Sequence, residues 1–373
     1  FFMKFSCEKT LLCEAINNVL PAVSAKSTLV ALEGILVHCK NGILRLTSYN
    51  LELGISKNIS VNEEEEGAVI LNASLLSNIV NKMPNGIVSI NCDEKLLTVI
   101  SCADVEFTIL GIDAMEFPDI PSVENGTTFS LSSFLLRNMI SQTLFAVAQN
   151  DQNPVHTGSL FDIADGVLNV VSVDGYRLAM RTEKINIEDT LKFVVPGKTL
   201  GEIVKLLSKL SAEDDEEQVE ISVSSKHICF SAGGYVMVSR LLEGEFINYR
   251  NAIPKESLTN VVIETKPFLD SIGRASIIIN ERAKSHIRCT FLENEVKLFC
   301  ETPLGKINDT VPASCDGPEV VIGFNNRYMA DALKAGECEK LKIEMNGPIS
   351  PMKLVPLDDD SFLFLVLPVR LKS

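Results

Sequence analysis

The chain has 373 residues, 46% of them hydrophobic, enough to bury two or three separate cores. Its formal net charge is −15, from 49 acidic residues against 34 Lys and Arg, a balance that taken alone argues against a nucleic-acid partner. No apolar stretch approaches the ~20 residues of a membrane span and no signal peptide is visible. Ten scattered cysteines with no CxxC pair read as free thiols in a reducing cytoplasm.

Met3-Lys4-Phe5 reads as a native start preceded by Phe1 and Phe2. In the first third, helices are expected over 8–20 and 73–83, a strand pair over 42–53 and a further strand over 86–93. A Pro-containing linker, EFPDIP, follows at 116–121. Serines at 130, 132 and 133 are plausible N-caps for a helix over 131–148. Its candidates for burial are Leu131, Leu135, Met139, Leu144 and Phe145, and its outer face carries Arg137, Asn138, Ser141 and Gln142. A strand pair over 166–178 contains an Asp174-Gly175 turn. Over 197–210, Leu200, Ile203, Val204, Leu207 and Leu210 form a helical apolar stripe, with Lys198, Glu202, Lys205 and Lys209 along the other face. A strand over 218–225 precedes a Gly233-Gly234 hairpin turn, and a second linker, EFINYRNAIP, spans 245–254. In the last third, Pro267 falls in the first turn of a helix over 266–277, where its missing N–H costs little. A strand pair over 294–305, a helix over 325–335 and a strand over 340–347 follow.

The same order therefore recurs three times, with a period of roughly 125 residues, too long for a solenoid unit and long enough for a domain. The expected class is α+β: three repeated domains, 3–123, 124–252 and 253–373, each with two helices packed on mostly antiparallel sheet.

The six expected helices hold ten basic and five acidic residues, a net of +5, which leaves −20 for the rest of the chain. Helices favour Glu as much as Lys, so the depletion of Glu is informative. If the helices share one side of a curved sheet, that side is mildly basic and suits a polyanion held within and repelled outside. The acidic runs Glu63–Glu66, Glu213–Glu217 and Asp358–Asp360 read as solvated loops, because consecutive carboxylates point in different directions. His38, His156, His227 and His286 stand in no HExxH motif or nucleophile elbow, and there is no P-loop or GxGxxG. No catalytic constellation or cofactor motif emerges. The alternatives are a β-rich hydrolase with a cleft between repeats and a monomeric scaffold without DNA.

The chain ends on an apolar strand, FLFLVLPVRL at 362–371, where termini are usually polar; it closes its own domain or walls a groove for another chain. With MKF at 3–5, VDGYRLAM at 173–180, IGFNNRY at 322–328 and LPVRL at 367–371, the whole chain from Met3 resembles the beta subunit family of bacterial DNA polymerase III, the sliding clamps. The resemblance implies a DNA clamp fold and a head-to-tail homodimer closing a ring, with duplex DNA bound without sequence preference inside it. It implies a processivity factor with no catalysis, no cofactor, no membrane partner and a cytoplasmic location. Partners would be the DNA polymerase III alpha subunit, the clamp loader, and other polymerases and repair proteins. All would insert short Gln-Leu-x-Leu-Phe-type motifs into a hydrophobic pocket. By the same resemblance the pocket positions are His156, Val173, Gly175, Tyr176, Arg177, Leu178, Ile247, Ala252, Asn325, Tyr328, Ile349, Pro351, Leu365, Leu367, Pro368, Val369, Arg370 and Leu371. His156 stands where the family often has an aliphatic residue. Lys26, Asn150 and Lys198 match positions that approach DNA, whereas Ala73-Ser74 falls where some members carry basic residues.

Overall fold

Alternating apolar and polar residues give strands, and amphipathic runs between them give helices, in one order used three times. The computed structural model describes residues 3–123, 126–213, 217–279 and 286–371. The first repeat comprises β1 (Met3–Glu8), α1 (Lys9–Val19), β2 (Gly34–Lys40), β3 (Ile43–Tyr49), β4 (Leu53–Ser60), β5 (Asn62–Glu65), β6 (Gly67–Asn72), α2 (Ala73–Lys82), β7 (Ile87–Cys92), β8 (Leu97–Cys102), β9 (Val105–Leu110) and β10 (Ile112–Asp113). The second comprises β11 (Thr127–Ser132), α3 (Ser133–Leu144), β12 (Gly158–Ala164), β13 (Val167–Val173), β14 (Arg177–Lys184), β15 (Leu191–Pro196), α4 (Gly197–Glu213), β16 (Gln218–Val223), β17 (His227–Ala232) and β18 (Tyr235–Arg240). The third comprises β19 (Thr259–Glu264), α5 (Thr265–Ser276), β20 (Ile287–Leu292), β21 (Glu295–Thr302), β22 (Gly305–Asp316), β23 (Val320–Phe324), α6 (Asn326–Gly336), β24 (Lys340–Met345), β25 (Met352–Val355) and β26 (Phe362–Val366). The first and second repeats hold register closely: α1 and α3, and then α2 and α4, start 124 residues apart.

The chain folds as two compact units. One is Phe1–Leu136 with Lys205–Leu241. It holds a five-stranded sheet, β5-β1-β7-β8-β9, and a nine-stranded sheet, β10-β6-β2-β3-β4-β18-β17-β16-β11. Helices α1 and α2 pack against each other here, and α1 lies on β4 and β3. Pairing of β4 with β18, from Tyr235↔Lys57 to Ser239↔Leu53, joins the first repeat to the second. The linker after the first repeat helps seal this junction. Gly54 leaves room for Ile120, whose Cδ1 would lie 3.0 Å from any Cβ added there. At the β17–β18 turn Gly233 and Gly234 have φ of +53° and +73°, the two positive values a two-residue hairpin of this type requires.

The other unit is Arg137–Val204 with Leu242–Ser373, built on a twelve-stranded sheet, β15-β12-β13-β14-β26-β25-β24-β19-β22-β21-β20-β23. Pairing of β14 with β26 joins the second repeat to the third, and α5 packs on α6 and on β21 and β22. The second linker is less solvated than its Pro and polar content suggests. Phe246 and Tyr249 are buried in an apolar cluster with Val155, Leu160, Val171, Val173, Leu178, Val194, Leu363 and Leu365. The Tyr249 hydroxyl donates to Asp162 Oδ2 at 2.7 Å, and Arg250 Nη1 lies 2.9 Å from the same oxygen.

Two expectations need correction: Glu63–Glu65 form part of strand β5, paired with β1, instead of a loop, and α3 starts later than expected. Leu131 belongs to β11 and the helix starts at Ser133, with the Leu135 N–H donating to Ser132 Oγ at 3.2 Å. Its buried stripe is Leu136, Met139, Ile140 and Thr143, so of the expected helix positions Met139 is buried while Leu135, Leu144 and Phe145 are half-buried. Among the described residues every cysteine is a free thiol, and burial pushes the Cys39 and Cys289 thiols up, Cys39 to about 12. No helix of the described residues is long and apolar enough to cross a membrane. The acidic run 213–217 falls mostly outside the described residues.

Candidate functional site

The β13–β14 turn is an Asx turn. Asp174 Oδ1 accepts from the Tyr176 and Arg177 N–H groups, both at 3.0 Å, and Gly175 takes φ +84°. The first repeat builds the same turn with Asn50, whose Oδ1 accepts from Glu52 and Leu53. In the second repeat the turn presents Tyr176 outward, 61% exposed, with its ring stacked on Tyr328 at 5.9 Å. Tyr328 sits in the first turn of α6, which Asn325 caps: its Oδ1 accepts from the Arg327 N–H at 2.9 Å and the Tyr328 N–H at 3.3 Å. Burial and the neighbouring Asp174 charge raise the Tyr328 phenol above its ordinary pKa.

Arg177 turns inward. Its Nε donates to Asp174 Oδ2 at 2.8 Å and its Nη1 to Asp331 Oδ2 at 2.7 Å. The guanidinium lies 4.6 Å from the Tyr328 ring centre and 5.3 Å from that of Phe145. So Arg177 fixes the two aromatic residues by stacking and a double ion pair.

Beneath the turn, Val173 pairs with Leu178, and Leu178 pairs with Leu365 across the β14–β26 junction; all three are buried. The chain then leaves β26 beside the turn. The Leu367 N–H donates to the Tyr176 carbonyl at 2.9 Å, and the Val369 N–H to the Gly323 carbonyl at 2.8 Å. Leu367 and Leu371 remain 38% and 37% exposed, so apolar surface continues from the buried cluster to solvent. Ile247 in the linker is 40% exposed and Ile349 83% exposed, while Pro351 is half-buried next to β25. Pro368 is half-buried, and Ala252 and Arg370 stand exposed.

His156 lies in a short 3₁₀ turn, where its Nδ1 is 2.9 Å from Asp151 Oδ2 and its ring meets Phe246 edge-on at 5.8 Å. The Asn153 N–H, and then His156, hold the Asp151 carboxyl below its ordinary pKa. Of the three other residues singled out, Lys26 and Asn150 are exposed in the loops that follow α1 and α3. They are 124 residues apart, so they occupy the same place in successive repeats. Lys198 is exposed on the first turn of α4.

Sequence reasoning missed four residues here. Asp174 was signalled by the Asp-Gly turn. Phe246 and Tyr249 were hidden in a segment that looked like a tether. Asp331 carried no signal, since it meets Arg177 across 154 residues. Among the described residues no group of three or more His, Cys, Asp or Glu side chains is placed to hold a metal.

Family models of the DNA polymerase III beta subunit match the chain three times: its N-terminal domain over residues 3–121, its central domain over 130–248 and its C-terminal domain over 250–370. The beta sliding clamp of Bacillus subtilis is 31% identical over 99% of this chain and 100% of its own length; that of Halalkalibacterium halodurans is 33% identical over the same shares. The crystal structure of the Bacillus subtilis DNA polymerase sliding clamp superposes with a TM-score of 0.95 at 30% identity, covering all of both chains. A sliding clamp from Pseudomonas aeruginosa, crystallised with griselimycin, gives 0.93 at 26% identity, again over all of both chains. Three successive matches that together run nearly end to end place this chain in the DNA polymerase III beta subunit family, the bacterial beta sliding clamps.

Proposed function

We propose that the chain is a DNA polymerase processivity factor, a non-catalytic clamp of three domains, 3–123, 124–252 and 253–373. Two copies close head to tail around duplex DNA. The apolar surface around Tyr176, Leu178, Leu365 and Leu371 takes short Gln-Leu-x-Leu-Phe-type motifs. These come from the DNA polymerase III alpha subunit, the clamp loader, and other polymerases and repair proteins. A cytoplasmic location belongs to the same reading.

One observation carries the closure. At each internal junction the third residue of one strand faces the third residue of the other: Ile55 of β4 faces Met237 of β18, and Ala179 of β14 faces Phe364 of β26. All four are buried. The strands left over are β9, the counterpart of β18 and β26, and β22, the counterpart of β4 and β14. β9 is a sheet edge, and over 305–312 β22 pairs only with β21. Their third residues are Phe107, 41% exposed, and half-buried Ile307. A third apolar pair therefore awaits a partner, and a second copy supplies both halves. An edge-to-edge contact repeated head to tail must close or grow into a filament.

Phe107→Glu tests this. Sedimentation should give a dimer for the native protein and a monomer for the variant. A native monomer at micromolar concentration, or an open filament, would sink the reading.

A further inference from the structure

We propose that Gly323 is a positioning residue for the peptide site, seating Leu371 and with it the terminal segment 367–371; the inference rests on that site being the peptide site. The segment leaves β26 and is held at two places. Leu367 is tied to the Tyr176 carbonyl, and Val369 forms an isolated antiparallel bridge with Gly323. Pro368 between them has no N–H to give.

Gly323 lies in β23, the last strand of the twelve-stranded sheet, paired through its other side with Arg288 of β20. A Cβ there would stand 2.6 Å from Leu371 Cδ2 and 3.0 Å from both Leu371 Cγ and the Val369 carbonyl oxygen. The reason for glycine is therefore space. Tail and strand approach so closely that a hydrogen atom fits where a methyl does not.

Cδ2 is the free end of a partly exposed side chain, so the strand need not yield. An alanine at 323 would push Leu371 off its seat and lift the Val369 bridge. It would leave β23, the sheet and the dimer edges in place. The loss would fall on the wall of the site and spare the fold.

The test is calorimetric titration of a Gln-Leu-Ser-Leu-Phe peptide into the native dimer, Gly323→Ala, Leu371→Ala and the double variant. Gly323→Ala should melt close to the native temperature, stay dimeric and bind on the order of tenfold more weakly, as expected when one hydrophobic anchor contact is lost. Because Gly323 acts through Leu371, the double variant should bind no more weakly than Leu371→Ala alone. Native affinity in Gly323→Ala, or losses that simply add, would overturn the proposal. Amide exchange at Val369 is a second readout: it should quicken in Gly323→Ala, and unchanged protection would also overturn the seat. A native protein that ignores the peptide while Val369 still responds to Gly323→Ala would sink the peptide-site reading and leave the seat standing.

Discussion

Tyr176 shows how one side chain can be exposed and still held. The Asx turn fixes its backbone, Tyr328 fixes its ring, and Arg177 fixes Tyr328 while tied to carboxylates on both sides. Little rotamer freedom remains to be lost when a ligand covers it. Tyr176→Ala should therefore weaken peptide binding by roughly 1–3 kcal/mol, read by calorimetry with the dimer intact. At this scale the sequence was half legible. Asp-Gly followed by Tyr-Arg-Leu announced a turn bearing an aromatic residue, because turn chemistry is local. The inward path of Arg177 was not announced, because Asp331 is remote in the chain and adjacent only in the fold. Nor were the helix cap made by Asn325 and the backbone anchor made by Val369 announced.

The helices were the most legible elements, since an apolar stripe and its end signals are written within a dozen residues. Five of the six begin and end within a few residues of expectation. The sixth, α3, starts two residues late, because apolar Leu131 continued the helical pattern backwards into a strand, and it ends at Leu144, four residues early. The buried linker was illegible for a different reason: Phe246 and Tyr249 are covered by strands from distant parts of the sequence. Between α5 and β22 lies a contact with a measurable consequence. Burial pushes the Asp309 carboxyl up, but donation from Ser271 Oγ and Arg274 Nε, each at 2.8 Å, and from the Thr310 N–H leaves it below its ordinary pKa. A depressed carboxylate stabilises the fold above its unfolded pKa of about 4 and loses that contribution as pH falls through the lower, folded value. Denaturant midpoints should fall on acidification below about pH 4, and more shallowly in Asp309→Asn; equal slopes in the two proteins would contradict the assignment.

Across the whole molecule charge is sorted by element. With the observed bounds the six helices still sum to +5, since Glu8 drops out and Glu213 enters, while the chain carries −15. Helices this mildly basic fit the proposed sliding contacts, which would hold DNA without reading its bases. Reversing charge at Lys26 and Lys198 together should impair loading onto DNA and leave the dimer intact. Loaded protein should be lost from linear DNA with open ends and kept on a nicked circle; equal retention on both would contradict encirclement. A last consequence follows from Ile120 lying against Gly54. Repetition alone would give each chain two equivalent docking places, one per internal junction. At the first, Ile120 of the linker fills the space that Gly54 leaves, and the tail segment 367–371 walls only the second. On the proposed peptide-site reading, valency is set within the covalent chain: one guest per protomer and two per closed pair. A peptide titration should saturate at one equivalent per chain, and a stoichiometry of two would mean that Ile120 yields its place.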